Sequence, residues 1–346
     1  MRVLLIFLMP CCLWAQIASN SEELTNLKYA NTIQTEDIKK HLLILASDSL
    51  KGRETGKRGQ KMAANYIVNH FKSIGIPPYK KNTYYQKFKV KTVKRYGSWK
   101  NNQKTALEKL FKKDYIKGEN IIGFIEGSDL KDELVIITAH YDHLGIKKDT
   151  LIYNGADDNA SGTSAIMEIA EAFMLAKKEG NGPRRSVLIM PVSGEEKGLL
   201  GSKYYTDHPI YPLEKTIANL NVDMIGRIDK KYVDNPNYIY LIGSDRLSTE
   251  LHTISEEVNK KYSNLELDYK YNEEDDPNRY YYRSDHYNFA KNNIPVIFYF
   301  NGVHPDYHKT TDTWEKIHFE KIEKIGRYIF LTAWELANRD DRPKLD

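Results

Sequence analysis

Six short apolar runs, separated by helical patterns, constrain the fold of this chain more than any other feature. The runs cover residues 121–125, 134–139, 187–192, 217–224, 238–242 and 295–300. Apolar residues at helical spacing lie between and after them, over 161–178, 247–262 and 318–338. Strands that alternate with helices in this way predict an α/β domain with a mixed, largely parallel sheet.

The preceding segment adds two helices and one further strand to this prediction. Thr35 begins a helix that carries Ile38, Leu42 and Leu45 on one face, and a longer amphipathic helix ends at Gly75. Alternation predicts a strand over 85–90, whereas residues 93–118 are polar and lysine-rich, as in a surface excursion. Because no repeat or linker divides the chain, we expect a polar leader over 16–34 and a single domain over 35–346.

The first fifteen residues have the pattern of a secretory signal peptide. Arg2 precedes an apolar run over 3–8, and Ala15 offers a small residue before a cleavage point. The run is too short to cross a bilayer. Both cysteines, Cys11 and Cys12, lie within this segment, so the mature chain contains no disulfide. We therefore expect an exported protein, either periplasmic or extracellular.

Composition excludes one class of partner. The formal net charge is only +4 over 346 residues, and lysines are interspersed with acidic residues. Since nucleic-acid binding requires a basic stripe or patch, nucleic acid is not an expected partner. Nothing in the sequence sets the oligomeric state.

A turn of small residues, 154–162, carries the paired carboxylates of Asp157 and Asp158 just before a helical pattern. Gly155 and Gly162 allow a tight bend, so that Asp157 can face inward as a metal ligand. An Asx-type turn that caps the helix starting near Ser161 explains the same residues. The nonamer alone leaves both interpretations open.

Histidines and carboxylates also follow four of the apolar runs, at the strand edge where open α/β sheets place their ligand sites. Taken singly, each could be an ordinary polar loop or an acidic surface turn. Their coincidence favours a metal centre in which one of two adjacent glutamates binds metal and the other acts as general base. The residues are His140 and Asp142, Glu195 and Glu196, Asp223, and His308. Imidazoles and carboxylates without a thiolate suit zinc and also admit manganese or cobalt.

The chain closely resembles the zinc-dependent exopeptidases of metallopeptidase family 28, the bacterial leucyl aminopeptidase type. The resemblance runs from His41 to Ile317 through ordered motifs: LASD at 45–48, GR at 52–53, Gly56, AHYDHLG at 139–145, GADDNASG at 155–162, EEKGLLGS at 195–202, NVDM at 221–224, SDH at 284–286 and YH at 307–308. It implies a mixed sheet flanked by helices on both faces. The space between residues 91 and 118 is too short for the protease-associated domain that many relatives carry.

The resemblance also implies a role for each site residue. Asp157 would bridge two zinc ions, with His140 and Asp223 completing one site and Glu196 and His308 the other. Glu195 would be the general base, Asp142 the partner that orients His140, and the Asp157–Asp158 peptide bond would be cis. The implied reaction is hydrolysis of N-terminal residues from peptides.

Three other functions remain open from the sequence. A carboxypeptidase needs a cation for the substrate's terminal carboxylate, and Arg283 is a candidate that could equally form a structural ion pair. A glutaminyl cyclase on the same scaffold would be expected to use a single zinc ion. A non-catalytic protein stabilised by metal would be expected to lack Glu195, which is present here.

Overall fold

The structure is a computed structural model and describes residues 24–91 and 115–346. A helix α1 covers residues 24–30. The remaining helices are α2 (Thr35–Leu45), α3 (Arg58–Ser73), α4 (Gly162–Lys178), α5 (Leu200–Asp207), α6 (Thr249–Val258), α7 (His286–Ala290) and α8 (Phe319–Asn338). The strands are β1 (Tyr85–Lys91), β2 (Tyr115–Ile121), β3 (Gly123–Ile125), β4 (Leu130–His140), β5 (Gly145–Lys147), β6 (Leu151–Tyr153), β7 (Arg185–Val192), β8 (Thr216–Val222), β9 (Tyr238–Ile242), β10 (Glu266–Asp268) and β11 (Val296–Phe300).

Seven strands form the central sheet in the order β10-β9-β11-β8-β4-β7-β3. The inner pairs β7–β4, β4–β8 and β8–β11 are parallel, and so is the β9–β10 pair at one edge. Strand β9 runs antiparallel to β11, and β3 runs antiparallel to β7. The prediction of a mixed, largely parallel sheet is confirmed. Strands β7, β8, β9 and β11 are buried along their whole length, as expected when both faces of a sheet are covered.

Helices cover both faces of this sheet, as predicted. Alternate residues of β4 divide between two apolar clusters, with Val135 and Ile137 in one and Leu134 and Ile136 in the other. Helices α2, α3, α4 and α8 pack on the first face. Tyr205 of α5 and Phe289 of α7 pack on the second.

Two predicted elements are divided in the structure. The apolar run 121–125 is divided, because Ile121 ends the antiparallel β1–β2 pair whereas β3 pairs with the central sheet. The helix expected over 247–262 covers Thr249–Val258 and continues as a wider turn over Asn259–Ser263. Apolar content marks such segments as buried but does not identify their partners.

The predicted polar leader contributes to the folded domain. Helix α1 buries Tyr29 completely, and the Tyr29 ring stacks on Trp334 of α8 with 5.7 Å between ring centroids. The Tyr29 hydroxyl donates to Glu179 at 2.7 Å. The domain therefore begins before the predicted boundary at residue 35.

The predicted signal peptide and most of the polar segment 93–118 lie outside the described residues. Within residues 24–91 and 115–346, no helix is both long enough and apolar enough to cross a membrane.

Candidate metal centre

The predicted site residues converge at one edge of the sheet. His140 is the last residue of β4, and Asp223 directly follows β8. Glu195 and Glu196 lie on the turn after β7, and His308 lies in the loop after β11. Because β7, β4, β8 and β11 are neighbouring parallel strands, their carboxyl ends bring these side chains together.

The carboxylate of Asp158 occupies the centre of the cluster. Its Oδ1 lies 3.3 Å from Nε2 of His140, and its Oδ2 lies 3.1 Å from Nε2 of His308. Asp158 is only 3% exposed. Each of its oxygens thus faces a different histidine, which is the arrangement expected of a carboxylate shared by two cations.

Asp158 belongs to two groups of side chains whose ligand atoms all lie within 4.8 Å of one another. The first comprises His140, Asp158 and Asp223, with His140 Nε2 3.1 Å from Asp223 Oδ1. The second comprises His143, Asp158 and Glu196. His308 borders the second group, since its Nε2 lies 3.4 Å from Glu196 Oε2.

The structure does not bring the carboxylate of Asp157 into the cluster, so the assignment of Asp157 as the shared ligand moves to Asp158. Asp157 Oδ1 accepts the backbone N–H of Gly226 at 2.6 Å, and its Oδ2 lies 3.3 Å from His304 Nε2. Successive residues of the turn point in different directions, and Asp158 is the one that faces His140. The cis peptide bond is correspondingly Asp158–Asn159, and the prediction of a cis Asp157–Asp158 bond is wrong.

Backbone contacts hold the turn that presents Asp158. Gly155 adopts a positive φ of 57°, and a Cβ there would lie 2.2 Å from the carbonyl oxygen of Asp158. Only glycine fits this position. The buried carboxylate of Asp312 accepts the N–H groups of Asp157 and Asp158, at 3.1 and 3.2 Å. These hydrogen bonds to backbone N–H groups fix the conformation of the turn.

Arg53 ties this turn to the loop of His140. Its Nε donates to the carbonyl of Tyr141 at 2.8 Å, and its terminal nitrogens donate to the carbonyls of Asn154 at 2.7 Å and Gly155 at 2.9 Å. A further donation goes to the carbonyl of Leu45. Arg53 is fully buried, and burial lowers its pKa to about 10. In the sequence, Arg53 stands out only as part of the GR motif at 52–53, which does not indicate what its side chain contacts.

His143 is a candidate ligand that the sequence analysis did not assign. It is fully buried, and its Nδ1 lies 2.7 Å from Glu196 Oε1 and 3.7 Å from Asp158 Oδ2. Burial lowers the pKa of His143 to about 4. Its place in AHYDHLG, three residues after His140, was the available signal, but spacing alone does not show that both rings reach one site.

Asp142 differs in part from its predicted role as the partner of His140. The Nδ1 of His140 lies 3.1 Å from the backbone carbonyl of Asp142 and 3.9 Å from its carboxylate. That carboxylate instead accepts the Thr55 hydroxyl at 2.5 Å and the backbone N–H of Glu195 at 3.3 Å. Asp142 therefore orients His140 through its main chain and the glutamate turn through its side chain.

Glu195 and Glu196 lie among like charges. Burial raises the pKa of Glu195 well above its ordinary value, His140 opposes this shift, and the carboxylates of Asp223 and Glu196 add to it. Burial, together with the Asp158 carboxylate, raises the pKa of Glu196 to about 8. In the absence of a compensating cation, the cluster would hold protons.

These side chains open into a cavity of about 310 Å³. Asp158, Glu195, Glu196, Asp223 and His308 line one part of it. The remaining wall is largely aromatic, and includes Tyr280, Tyr282, Phe298, Phe300 and Tyr307 together with Arg283. Three of the predicted metal ligands, Glu196, Asp223 and His308, therefore share one space with the predicted general base, with room for part of a substrate.

The chemistry of the donors fits a metal ion. Both ring nitrogens of His143 and Oε1 of Glu196 are buried without a hydrogen-bond partner in the described residues, although they lie close together. Converging ligand atoms that make no hydrogen bonds with one another are typical of a cation site. Imidazole and carboxylate donors without thiolate suit zinc.

The fold and the site together define an α/β metal-dependent hydrolase. The model of peptidase family M28 matches residues 120–333, and the chain belongs to that family. The resemblance inferred from the sequence is confirmed.

Individual proteins similar to this chain are consistent with its membership of the family. Aminopeptidase YwaD of Bacillus subtilis is 25% identical over 323 residues, which cover 90% of this chain and 65% of YwaD. The chain thus spans slightly less than two thirds of that relative.

The structure of BSAP, described as a zinc aminopeptidase from Bacillus subtilis, matches with a TM-score of 0.67 at 16% identity, over 90% of this chain and 98% of that one. The glutaminyl cyclase of Porphyromonas gingivalis matches with a TM-score of 0.61 at 17% identity, over 86% and 97% of the two chains. At such identities the structural likeness concerns the fold.

Proposed function

We propose that this protein is a zinc-dependent aminopeptidase that hydrolyses N-terminal residues from peptides with two metal ions. The observation that carries the proposal is the position of Asp158, with one oxygen facing His140 and the other facing His308. His140 and Asp223 would complete one metal site. Glu196 and His308 would complete the other, with His143 beside them as a further donor.

The bound ions would supply Lewis acidity, which lowers the pKa of water and polarises a carbonyl group. The side chains of this protein would supply the proton transfers. Glu195 accepts a proton from the attacking water and gives it to the leaving amine when the C–N bond breaks.

Asp142 would keep Glu195 in position during the reaction, because its carboxylate accepts the Glu195 backbone N–H. The products are a free amino acid and a peptide shortened by one residue. The carboxylates of the cavity would hold the free N-terminal amine of the substrate, which restricts cleavage to that end of the chain.

Assays of four substrate classes with the zinc-loaded protein test this proposal. We expect cleavage of aminoacyl chromogenic amides with a free amine, no cleavage of their N-blocked forms, and loss of activity by at least about 100-fold in Glu195→Gln. Glu126→Gln, an exposed substitution, is the matched control. Cleavage only of N-blocked peptides with a free carboxylate would instead indicate a carboxypeptidase. Release of ammonia from N-terminal glutamine without peptide cleavage would indicate a cyclase.

We also propose that the protein is exported, on the basis of the signal-peptide pattern in residues 1–15. Fractionation of the native cells followed by N-terminal mass analysis tests this. The expected result is a mature chain beginning at Gln16 in the periplasmic or extracellular fraction. A cytoplasmic chain that retains Arg2 would contradict it.

A further inference from the structure

The cavity has charges of opposite sign in its lining. Asp158, Glu195, Glu196 and Asp223 contribute four carboxylates at the metal centre. Arg283 contributes the one guanidinium among the described lining residues. Arg283 takes no part in the proposed metal binding or proton transfer.

Arg283 is held in place by aromatic rings. Its guanidinium lies over the Tyr280 ring at 4.8 Å from the centroid, and one terminal nitrogen lies 3.5 Å from the Tyr307 hydroxyl. The Tyr307 ring in turn stacks on His308 at 3.9 Å. One tyrosine ring therefore separates Arg283 from a candidate metal ligand. A cation stacked in this way keeps a defined direction while its N–H groups stay available.

No carboxylate among residues 24–91 and 115–346 forms an ion pair with Arg283, and its side chain is exposed to solvent in the cavity. Several other arginines of the structure do form ion pairs. Arg227 pairs with Asp306 at 2.8 Å, and Arg339 pairs with Glu250 at 3.0 Å. The structural ion pair that the sequence left open for Arg283 is thus not formed within the described residues.

We propose that Arg283 binds a carboxylate of the substrate, so that the enzyme favours peptides with a carboxylate close to the scissile bond. This inference rests on the proposed aminopeptidase function. The layout matches a short dipolar peptide, with its ammonium group at the carboxylates and its own carboxylate at the guanidinium. The apolar rings of Phe298 and Phe300 line the same cavity as both charged groups.

Two sources can provide this carboxylate. One is the free C-terminal carboxylate of a dipeptide or tripeptide, and the other is an acidic side chain beside the scissile bond. Arginine binds either one through two parallel N–H donations. An amidated or long neutral peptide would lack this contact.

The test compares kcat/KM for Leu-Gly, Leu-Gly-amide and Leu-Asp-amide in the zinc-loaded wild type and in Arg283→Gln. Arg283→Lys keeps the charge without the planar fork and is the conservative variant. Arg279→Gln is the matched control, because Arg279 is also an exposed arginine stacked on a tyrosine, 4.8 Å from the Tyr282 ring, but does not line the cavity.

We expect Arg283→Gln to lose about 10- to 100-fold in kcat/KM on the substrates that carry the recognised carboxylate, mainly through KM. Arg283→Lys should recover part of this loss. Activity on Leu-Gly-amide should stay within about twofold of wild type, which also shows that the variant is folded. A loss confined to Leu-Gly assigns the contact to the C-terminal carboxylate, and a loss confined to Leu-Asp-amide assigns it to the acidic side chain.

Equal effects of Arg283→Gln on all three substrates, or the same effect in Arg279→Gln, would overturn the role of Arg283 and leave the aminopeptidase proposal intact. If the wild type cleaves none of the three peptides, both proposals fail.

Discussion

Asp157 and Asp158 are neighbours in the chain, but their carboxylates serve different partners. Asp158 lies between His140 and His308, whereas Asp157 accepts the backbone N–H of Gly226 and faces His304. Asp312 holds both residues through their backbone N–H groups. The turn thus uses one aspartate for the metal centre and the other to anchor its backbone.

Substitution of the two aspartates separates these roles. We expect Asp158→Asn to lose bound zinc and at least about 100-fold in activity, because a neutral amide cannot serve two cations as a carboxylate does. Asp157→Asn should keep its zinc, since an amide oxygen can still accept the Gly226 N–H. Zinc content after gel filtration, measured by mass spectrometry, checks both. Zinc loss in Asp157→Asn with zinc retained in Asp158→Asn would restore the assignment made from the sequence.

Arg53 should stabilise the fold and the metal centre together. Arg53→Lys leaves some of four buried carbonyls without a donor, and each unsatisfied group costs about 1–3 kcal/mol. Because two of these carbonyls belong to Asn154 and Gly155, zinc affinity should fall as well. Urea denaturation and zinc titration measure the two effects, with the exposed Arg58→Lys as control. Wild-type stability and zinc affinity in Arg53→Lys would show that the hydrogen bonds of Arg53 are dispensable.

Glu168 should make stability decrease as the pH rises from about 4.3 towards 8. Its carboxyl group lies 3.0 Å from His41 Nε2, and burial raises its pKa to about 8, with Asp37 adding to the shift and Lys40 opposing it. The unfolded chain releases this proton near its ordinary pKa of about 4.3, so the folded state binds more protons up to about pH 8. Folding is therefore progressively disfavoured as the pH rises towards 8.

Comparison of wild type with Glu168→Gln isolates this effect. Between pH 6.5 and 8, the wild type should lose about 1–2 kcal/mol relative to the variant. In this window the neighbouring His41 and His70 are neutral in the folded state, because burial lowers the pKa of each to about 4. Their titration in the unfolded chain, near about pH 6.5, is common to both proteins and cancels in the comparison. Urea unfolding at several pH values provides the measurement. Parallel stability curves for the two proteins would mean that Glu168 is already ionised in the folded state.

Helix α1 should contribute measurably to stability. Tyr29→Ala removes a fully buried ring and its stacking on Trp334, which should cost about 3–5 kcal/mol. Leu24→Ala, at a side chain that is 71% exposed, should change stability by less than about 0.5 kcal/mol. The urea midpoints of the two variants test this difference. Equal midpoints would place the segment outside the cooperative domain.

Much of this fold could be predicted because its strands are continuous apolar runs. Strands that are buried on both faces, such as β7 and β8, consist mainly of apolar residues. Strands that alternate with helices along the chain usually pair in parallel, so the sheet type could be predicted as well. The contribution of α1 was missed because its few buried apolar residues, Tyr29 and Ala30, are preceded by polar ones. The mostly polar composition of residues 16–34 therefore predicts a solvent-exposed leader.

The site was predictable as a set of residues but not in its detailed geometry. Strand ends identified His140, Glu196, Asp223 and His308 because parallel strands place their carboxyl ends at one edge. The choice between Asp157 and Asp158 depends on backbone angles in the Gly155 turn, which a sequence does not specify. The contribution of His143 likewise depends on how its loop bends back toward Glu196.

Zinc titration of the metal-free protein, with hydrolysis of leucine p-nitroanilide as the readout, tests the central claim most directly. We predict negligible activity after chelation and recovery that continues up to two equivalents of zinc per chain. Glu195→Gln should bind the same amount of zinc and stay inactive, because it lacks the group that carries the proton. Full activity in the metal-free protein, or an active Glu195→Gln, would contradict the account.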